Sequence, residues 1–192
     1  MEITYTVNKT FQKEDVKPDT TLRGEYENCV FTDCLFSKAD LAKCRFINCH
    51  FSGCDLSLAK LTKTSFQDCI FNGCKMLGLS FDQCDRFNLT LTFTQCNLSN
   101  STFYGLRLPG ISFTDCNLSE TDFTEADLTK AVFENCDLSG AIFDNTTLES
   151  ADLRTSVNFN ISPVHNRIRK TRFSLTGLPG LLTQWDLDIS AS

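Results

Sequence analysis

The chain has 192 residues, a formal net charge of −6, 41% hydrophobic residues and 11 cysteines. This length suits one domain, and no stretch reaches the roughly 18 consecutive apolar residues of a membrane-spanning helix. The N-terminal segment Met1–Thr10 is polar and lacks the apolar core of a secretion signal. The sequence therefore predicts a cytosolic protein without a membrane partner.

Residues 1–25 precede a long periodic region. From Phe31 to Phe81, and again from Phe93 to Leu153, a large apolar residue stands at every fifth position, at 24 positions in all. At most of these positions a small residue (Cys, Ala, Ser or Thr) stands two positions earlier, and all 11 cysteines fall on that series. A period of five matches neither the helical 3.6 nor the strand period of 2.

A short repeat that cannot bury its apolar face alone has to stack on copies of itself. Four repeats, one on each of four sides, make one coil, with one large and one small residue per side pointing inward. The sequence therefore predicts an all-β fold, a four-sided parallel β-helix over residues 26–155. Residues 1–25 are predicted to be an N-terminal cap that covers the open strand edges.

The cysteines are predicted to be small buried hydrophobic residues. Their number is odd and no C-x-x-C pair occurs, so the spacing of zinc sites is absent. Cys29, Cys49 and Cys69 would stack in one column, where parallel Cβ vectors do not suit a disulfide. Free thiols also fit a reducing compartment.

The repeat changes phase once, because the interval from Phe81 to Phe93 is longer by two positions than a pair of repeats needs. The two extra positions lie within Asp82–Thr92, and Arg86 stands where a core residue is expected. One interpretation is a small bulge without a role. The other is a protruding loop that touches a partner, with these contact residues: Asp85, Arg86 and Phe87.

Charge is distributed unevenly along the repeats. Tyr26–Phe81 contains five acidic and six basic residues, whereas Ile111–Leu153 contains ten acidic residues opposed only by Lys130. All ten acids lie at outward positions, and their density along the axis is comparable to that of duplex DNA, about six charges per 10 Å. They either keep the solenoid soluble or form a surface for a basic DNA-binding groove. The predicted partner-binding residues are Asp115, Glu120, Asp122, Glu125, Asp127, Glu134, Asp137 and Asp144.

The repeat decays after Leu153, and residues 156–192 are predicted to be a C-terminal cap and dimerisation segment. A basic stretch from Arg167 to Arg172 precedes an apolar tail, for which a short helix and an extended piece are expected. A solenoid end needs a cap, so the tail either only caps the end or also forms a two-fold homodimer. The predicted dimer residues are Leu178, Leu181, Leu182, Trp185, Leu187 and Ile189.

The repeat unit of small, polar, Leu or Phe, polar and polar residues resembles the pentapeptide-repeat family. The resemblance covers about residues 26–155 and implies a right-handed quadrilateral parallel β-helix. Within the family the chain is similar to the topoisomerase-protecting branch, which includes the Qnr quinolone-resistance proteins and the albicidin-immunity protein. The stretches that carry this similarity are Cys74–Gly78, Phe103–Leu106, Asp122–Leu128, Val157–Phe159, His165–Ile168 and Thr171–Leu175.

That branch implies a dimeric DNA mimic that binds DNA gyrase or topoisomerase IV and modulates its response to poisons, without binding nucleic acid itself. The alternative is a pentapeptide-repeat interaction scaffold without topoisomerase affinity. No enzyme, cofactor or metal site is expected, because the two histidines, His50 and His165, are far apart and no catalytic or phosphate-binding motif occurs. A filled axis also leaves no pocket of the usual size.

Overall fold

A period of five requires a turn of the backbone in every repeat, and the structure contains such turns. In the computed structural model, which describes residues 4–13 and 23–188, left-handed residues recur at the second position after the large residue. Asn28, Asp33 and Lys38 belong to this series, with φ of 52°, 53° and 58°. Asn, Asp and Gly adopt this conformation most easily, which explains why they are frequent at these corners.

These corners divide each coil into four sides, named here by their first large residue: side A by Phe31, side B by Phe36, side C by Leu41 and side D by Phe46. Successive coils pair in parallel, so that Phe31 lies opposite Phe51 and Phe46 opposite Phe66. The step between paired residues is four repeats, except that Phe71 pairs with Phe93 across the phase change. The structure is thus a parallel β-solenoid, as predicted.

The strands lie on sides A and D, whereas sides B and C are joined by isolated parallel bridges. Side A is a seven-stranded sheet in the order β11-β10-β9-β8-β6-β4-β2, and side D begins with a four-stranded sheet in the order β1-β3-β5-β7. The strands are β1 Thr4–Val7, β2 Thr10–Phe11, β3 Gly24–Glu27, β4 Val30–Thr32, β5 Arg45–Ile47, β6 His50–Ser52, β7 Ser65–Gln67, β8 Cys69–Asn72, β9 Leu91–Thr94, β10 Ser112–Thr114 and β11 Val132–Glu134.

All 24 predicted large positions are buried, so the interior is filled along its length. On side A the phenylalanine rings stack without interruption from Phe11 to Phe133, with neighbouring centroids 4.7–5.3 Å apart. A second aromatic stack runs on side D as far as Phe66 and then continues on side C from Phe81. The phase change coincides with this switch of side.

The 11 cysteines are buried, as predicted, and their thiols are not joined in disulfides. Many of their thiols donate weak hydrogen bonds to the coil before, for example from Cys49 to the Tyr26 carbonyl at 3.2 Å. Thr64 and Thr146 at equivalent positions donate to such carbonyls at 2.8 Å. Burial raises the pKa of Cys44 and Cys49 to about 11, so these thiols are neutral and unreactive at neutral pH.

The ladder begins earlier than the predicted boundary at Tyr26. Strand β1 pairs in parallel with β3, and β2 pairs with β4. Phe11 stacks on Phe31 with a centroid distance of 4.8 Å, because it precedes Phe31 by one full coil. The described part of the predicted cap therefore adds strands to the solenoid. Residues 1–3 and 14–22 of that cap lie outside the described residues.

The ladder also continues past the predicted boundary at residue 155. Parallel bridges join Thr147 to Arg167 and Asp152 to Arg172. Beyond them the predicted helical tail is formed by two 3₁₀ helices, Leu175–Leu181 and Thr183–Trp185. Within the described residues, no helix is both long enough and apolar enough to cross a membrane.

Candidate partner-binding surface

The ten carboxylates of the Ile111–Leu153 region all lie on the outside of the coils, as predicted. None of these residues is buried. They occupy the three outward positions of the repeat because the other two are filled by the inward large and small residues. The number of Lys and Arg residues near these carboxylates differs from side to side. Counting charges along the sequence did not reveal this difference.

Side D brings bases next to its carboxylates. The bridges on this side join Arg107 to Asp127, Asp127 to Thr147 and Thr147 to Arg167. The Arg107 Nε lies 3.7 Å from the Asp127 Oδ2. Side D carries two carboxylates, Asp127 and Glu149, and more bases than acids. The bases on this side are Arg107, Lys130, Arg167, Arg169 and Lys170.

Side A carries a compensated carboxylate at its C-terminal end. The Arg154 Nη2 lies 2.7 Å from the Asp152 Oδ2, and the Arg172 Nη1 lies 3.5 Å from the same oxygen. The hydrogen bond from Arg154 lowers the pKa of Asp152 to about 2. Within residues 4–13 and 23–188, only Asp127 and Asp152 of the ten acids pair with a Lys or Arg.

Sides B and C carry acids without bases. No Lys or Arg occurs in residues 96–105, 116–125 or 136–145, which form these two sides over three coils. The carboxylates are Glu120 and Asp137 on side B and Asp122, Glu125 and Asp144 on side C. His165 follows on the next coil, and its Nδ1 lies 3.8 Å from the Asp144 Oδ1. Among the described residues, five of the eight acids without a Lys or Arg partner thus lie on these two adjacent sides. The other three are Asp115 and Glu134 on side A and Glu149 on side D.

Several of these carboxylates also brace the turns that display them. The Asp122 Oδ1 accepts a hydrogen bond from the Thr124 N–H at 2.8 Å, and Asp127 accepts one from Thr129 at 3.1 Å. Hydrogen bonds from the Ser139 hydroxyl and from Asn158 hold the pKa of Asp137 below its ordinary value. These bonds fix the carboxylates in place, and at Asp137 they favour the ionised form.

Two large apolar side chains are exposed among the acids of side C, and sequence reasoning missed both. Tyr104 is 43% exposed and Ile142 is 50% exposed. The hydrogen bond to Glu125 raises the pKa of Tyr104, so the phenol is a neutral donor to that carboxylate. Writing the sequence in coils of 20 residues would have placed both side chains on the side that carries Asp122.

The predicted contact loop is exposed at the phase change. The Asp85 Oδ1 accepts a hydrogen bond from the Phe87 N–H at 3.1 Å, and the Arg86 guanidinium donates to the Gly105 carbonyl at 3.3 Å. Asn88 has φ of 53°, and Phe87 is 68% exposed. Arg86 thus bonds to the next coil from outside rather than filling the core.

The apolar tail divides into docked and exposed residues. Leu181 packs against the core, and Phe159 packs so closely under the tail that a Cβ on Gly180 would lie 2.3 Å from the Phe159 carbonyl oxygen. Leu182 is half-buried, whereas Leu178, Trp185 and Leu187 are 42%, 47% and 56% exposed. The remaining predicted dimer residue, Ile189, lies outside the described residues.

The outside of the solenoid offers no clustered metal-binding chemistry among the described residues. Within them, no group of three or more His, Cys, Asp or Glu side chains is arranged to hold a metal ion. His50 lies on the outer face of β6, on side A. The class of protein that the fold defines is a filled four-sided β-solenoid whose exterior carries its variable chemistry.

Family models agree with that class. A model described as a pentapeptide repeat region matches residues 87–162, and one described as pentapeptide repeats in eight copies matches residues 27–53 and 39–78. The chain belongs to the pentapeptide-repeat family. A search of curated proteins found no match.

Solved structures to which this chain is similar include QnrB1, described as a plasmid-mediated fluoroquinolone resistance protein. A trypsin-treated variant of it is 22% identical, covers 98% of this chain and 98% of its own, and gives a TM-score of 0.48. HetL from Nostoc sp. strain PCC 7120, described as involved in heterocyst differentiation regulation, is 14% identical over 89% of both chains with a TM-score of 0.46. The family assignment rests on the repeat models and the coil geometry.

Proposed function

We propose that this protein is a DNA mimic that binds a type II topoisomerase, DNA gyrase or topoisomerase IV, and modulates its response to quinolone- or albicidin-type poisons. The observation that carries the proposal is the set of uncompensated carboxylates on sides B and C. They are held on a rod whose coils are spaced by the roughly 4.8 Å of strand pairing. The resemblance to the topoisomerase-protecting branch gives the enzyme class.

The mechanism follows from electrostatics. A groove that binds duplex DNA is lined by cationic side chains, which displace the counterions condensed on the DNA phosphates. A fixed row of carboxylates satisfies the same cations, and complementary potentials raise the rate of encounter. The braced turns at Asp122 and Asp137 keep the carboxylates in place, so little ordering is needed on binding.

The loop at the phase change is proposed as a second contact. Phe87 is exposed while twelve other phenylalanines are fully buried, and the loop that holds it is fixed by hydrogen bonds from Phe87 and Arg86. An exposed aromatic side chain on a fixed loop has the character of an interface anchor. The bond from Arg86 to Gly105 places the loop at the edge of side C.

A supercoiling assay of purified DNA gyrase, titrated with this protein with and without a fluoroquinolone or albicidin, tests the proposal. Rescue of the poisoned enzyme is expected for a protecting protein. Inhibition without rescue would keep DNA mimicry and make the protein a regulator of the enzyme. Absence of any effect at micromolar protein would contradict the proposal and favour a scaffold without topoisomerase affinity.

Homodimerisation through the tail is part of the proposal, since two chains joined at their C-termini would lengthen the rod. Leu175, Leu178, Trp185 and Leu187 form an exposed apolar set on the last segment. We expect Trp185→Ala with Leu187→Ala to convert a dimer into a monomer in light scattering. Leu58→Ala, which truncates an equally exposed leucine in the N-terminal half, is the control and should leave the mass unchanged. A dimer that persists in the double variant would place the interface elsewhere.

A further inference from the structure

Side D differs from every other side of the C-terminal coils because bases outnumber acids on it. The bases are Arg107, Lys130, Arg167, Arg169 and Lys170. Arg107 lies 3.7 Å from Asp127 on this side, and its side chain is nevertheless 86% exposed. Over the three coils that carry the acids of sides B and C, the two bases of side D are balanced by Asp127 and Glu149. The excess of positive charge on side D therefore lies on the next coil, at Arg167, Arg169 and Lys170.

Side B lies opposite side D across the coil, and side C lies next to it. Over the same three coils these two sides carry five carboxylates and no Lys or Arg. Side C adds two exposed apolar side chains, Tyr104 and Ile142. An aromatic anchor surrounded by polar groups is the usual composition of an interface centre.

A cationic partner surface interacts very differently with the acidic sides B and C and with the bases of side D. It attracts the carboxylates of sides B and C, whereas like charges brought together at an interface oppose binding. We propose that the bases of side D fix the rotational orientation of this chain on its partner, so that sides B and C face the partner's cationic surface and side D faces solvent. This inference rests on the proposed function and adds the contact face to it.

Three equivalent positions on one coil make the orientation measurable. Ser119, Thr124 and Thr129 each follow a buried large residue and lie on sides B, C and D, respectively. Their N–H groups donate to the side chain two positions before at 2.9, 2.8 and 3.1 Å. Their local structure is therefore matched while their sides differ.

The experiment places a photoreactive amino acid at each position in turn and irradiates the full-length protein with purified DNA gyrase. We expect crosslinks from Ser119 and Thr124 to exceed those from Thr129 by about tenfold, the ratio that corresponds to 1.4 kcal/mol. In a chain that also carries Arg167→Glu, Arg169→Glu and Lys170→Glu, crosslinks from Thr129 should rise towards those from Thr124.

The outcomes separate the two proposals. A complex in which Thr129 crosslinks as strongly as Thr124 overturns the orientation but leaves topoisomerase binding intact. If position 129 still gives no crosslinks in the charge-reversed chain although binding is retained, the bases do not set the orientation. That result also overturns the proposed orientation. If the unsubstituted protein is not retained by gyrase in a pull-down, the proposed function fails, and the orientation fails with it.

Discussion

The two halves of the solenoid, Tyr26–Phe81 and Phe93–Leu153, share one interior and differ in their exteriors. Both fill the axis with stacked rings and leucines and place small residues at the corners. The first half has nearly balanced charge, whereas the second carries most of the acids. The difference teaches that the repeat constrains two of its five positions, and that the other three are free to carry a surface for a partner.

The largest contrast should appear at alkaline pH, because five cysteines with a raised thiol pKa lie in the first half and three in the second. The five are Cys44, Cys49, Cys54, Cys69 and Cys74, and the three are Cys96, Cys116 and Cys136. Burial raises the pKa of Cys44 and Cys49 from 9.0 to about 11. A raised folded pKa gives stability that is present below the unfolded value and is lost as pH rises through the folded value. Each such thiol should remove about 1.4 kcal/mol of stability per pH unit between pH 9 and 11.

We therefore expect the first half to open first between pH 9 and 11, since repeat proteins can unfold regionally. Alkylation followed by mass spectrometry at each pH measures this, because only an opened coil exposes its thiols. Cys54 and Cys69 should be modified at lower pH than Cys116 and Cys136. Simultaneous modification of all four would show that the two halves unfold as one unit.

The shared interior predicts equal losses from equal truncations. Phe51 and Phe113 both lie on side A, each between two stacked rings at 4.7–5.3 Å. We expect Phe51→Ala and Phe113→Ala to lower the free energy of unfolding by about 3–5 kcal/mol each, measured by denaturant titration with circular dichroism. Ile70→Ala, an outward position on the same side, should change it by less than about 0.5 kcal/mol. Clearly unequal losses from the two phenylalanines would contradict the shared interior.

The interior could be predicted from the sequence because a period of five with one large and one small residue is satisfied by stacking on four sides. Phe11 was missed as a ladder residue although it precedes Phe31 by one full coil, since a single aromatic residue in a polar segment is a weak signal. The contact surface was predicted only as a set of acids. Its division among sides depends on which residues stack, and Arg107 and Arg167 lie outside the acidic segment that they flank in space.

The exterior of the second half should respond to which side is neutralised rather than to the number of charges removed. Asp122→Asn, Glu125→Gln and Asp144→Asn remove three charges from side C. Asp127→Asn, Glu149→Gln and Asp152→Asn remove the same residue types from sides D and A. We expect the first triple variant to weaken gyrase binding about tenfold or more, since that corresponds to 1.4 kcal/mol.

The second triple variant should change the affinity little, because its carboxylates lie among bases on sides D and A. Binding isotherms at two salt concentrations check both variants, and the first should also show a weaker salt dependence. Equal losses from the two triple variants would mean that overall charge, and not the face, decides binding.

The smallest expected effect concerns the corners. There, charged side chains are carried by residues whose positive φ is unfavourable. Glu125 and Lys63 occupy the same corner between sides C and D, each with φ of 58°, which is unfavourable for residues with a Cβ. Glycine relieves this strain, which costs about 1–2 kcal/mol for a residue with a Cβ. The relief exceeds the extra conformational entropy that glycine loses on folding, about 0.5–1 kcal/mol. We therefore expect Glu125→Gly and Lys63→Gly each to stabilise the fold by about 0.5 kcal/mol, measured by thermal unfolding.

The matched pair also separates stability from binding. Only Glu125→Gly should weaken gyrase binding, because Lys63 lies outside the acidic coils. If both variants bind as tightly as the unsubstituted protein, the carboxylate of Glu125 is not part of the contact. A stabilising substitution that lowers affinity would show that the second half retains backbone strain in order to present charge.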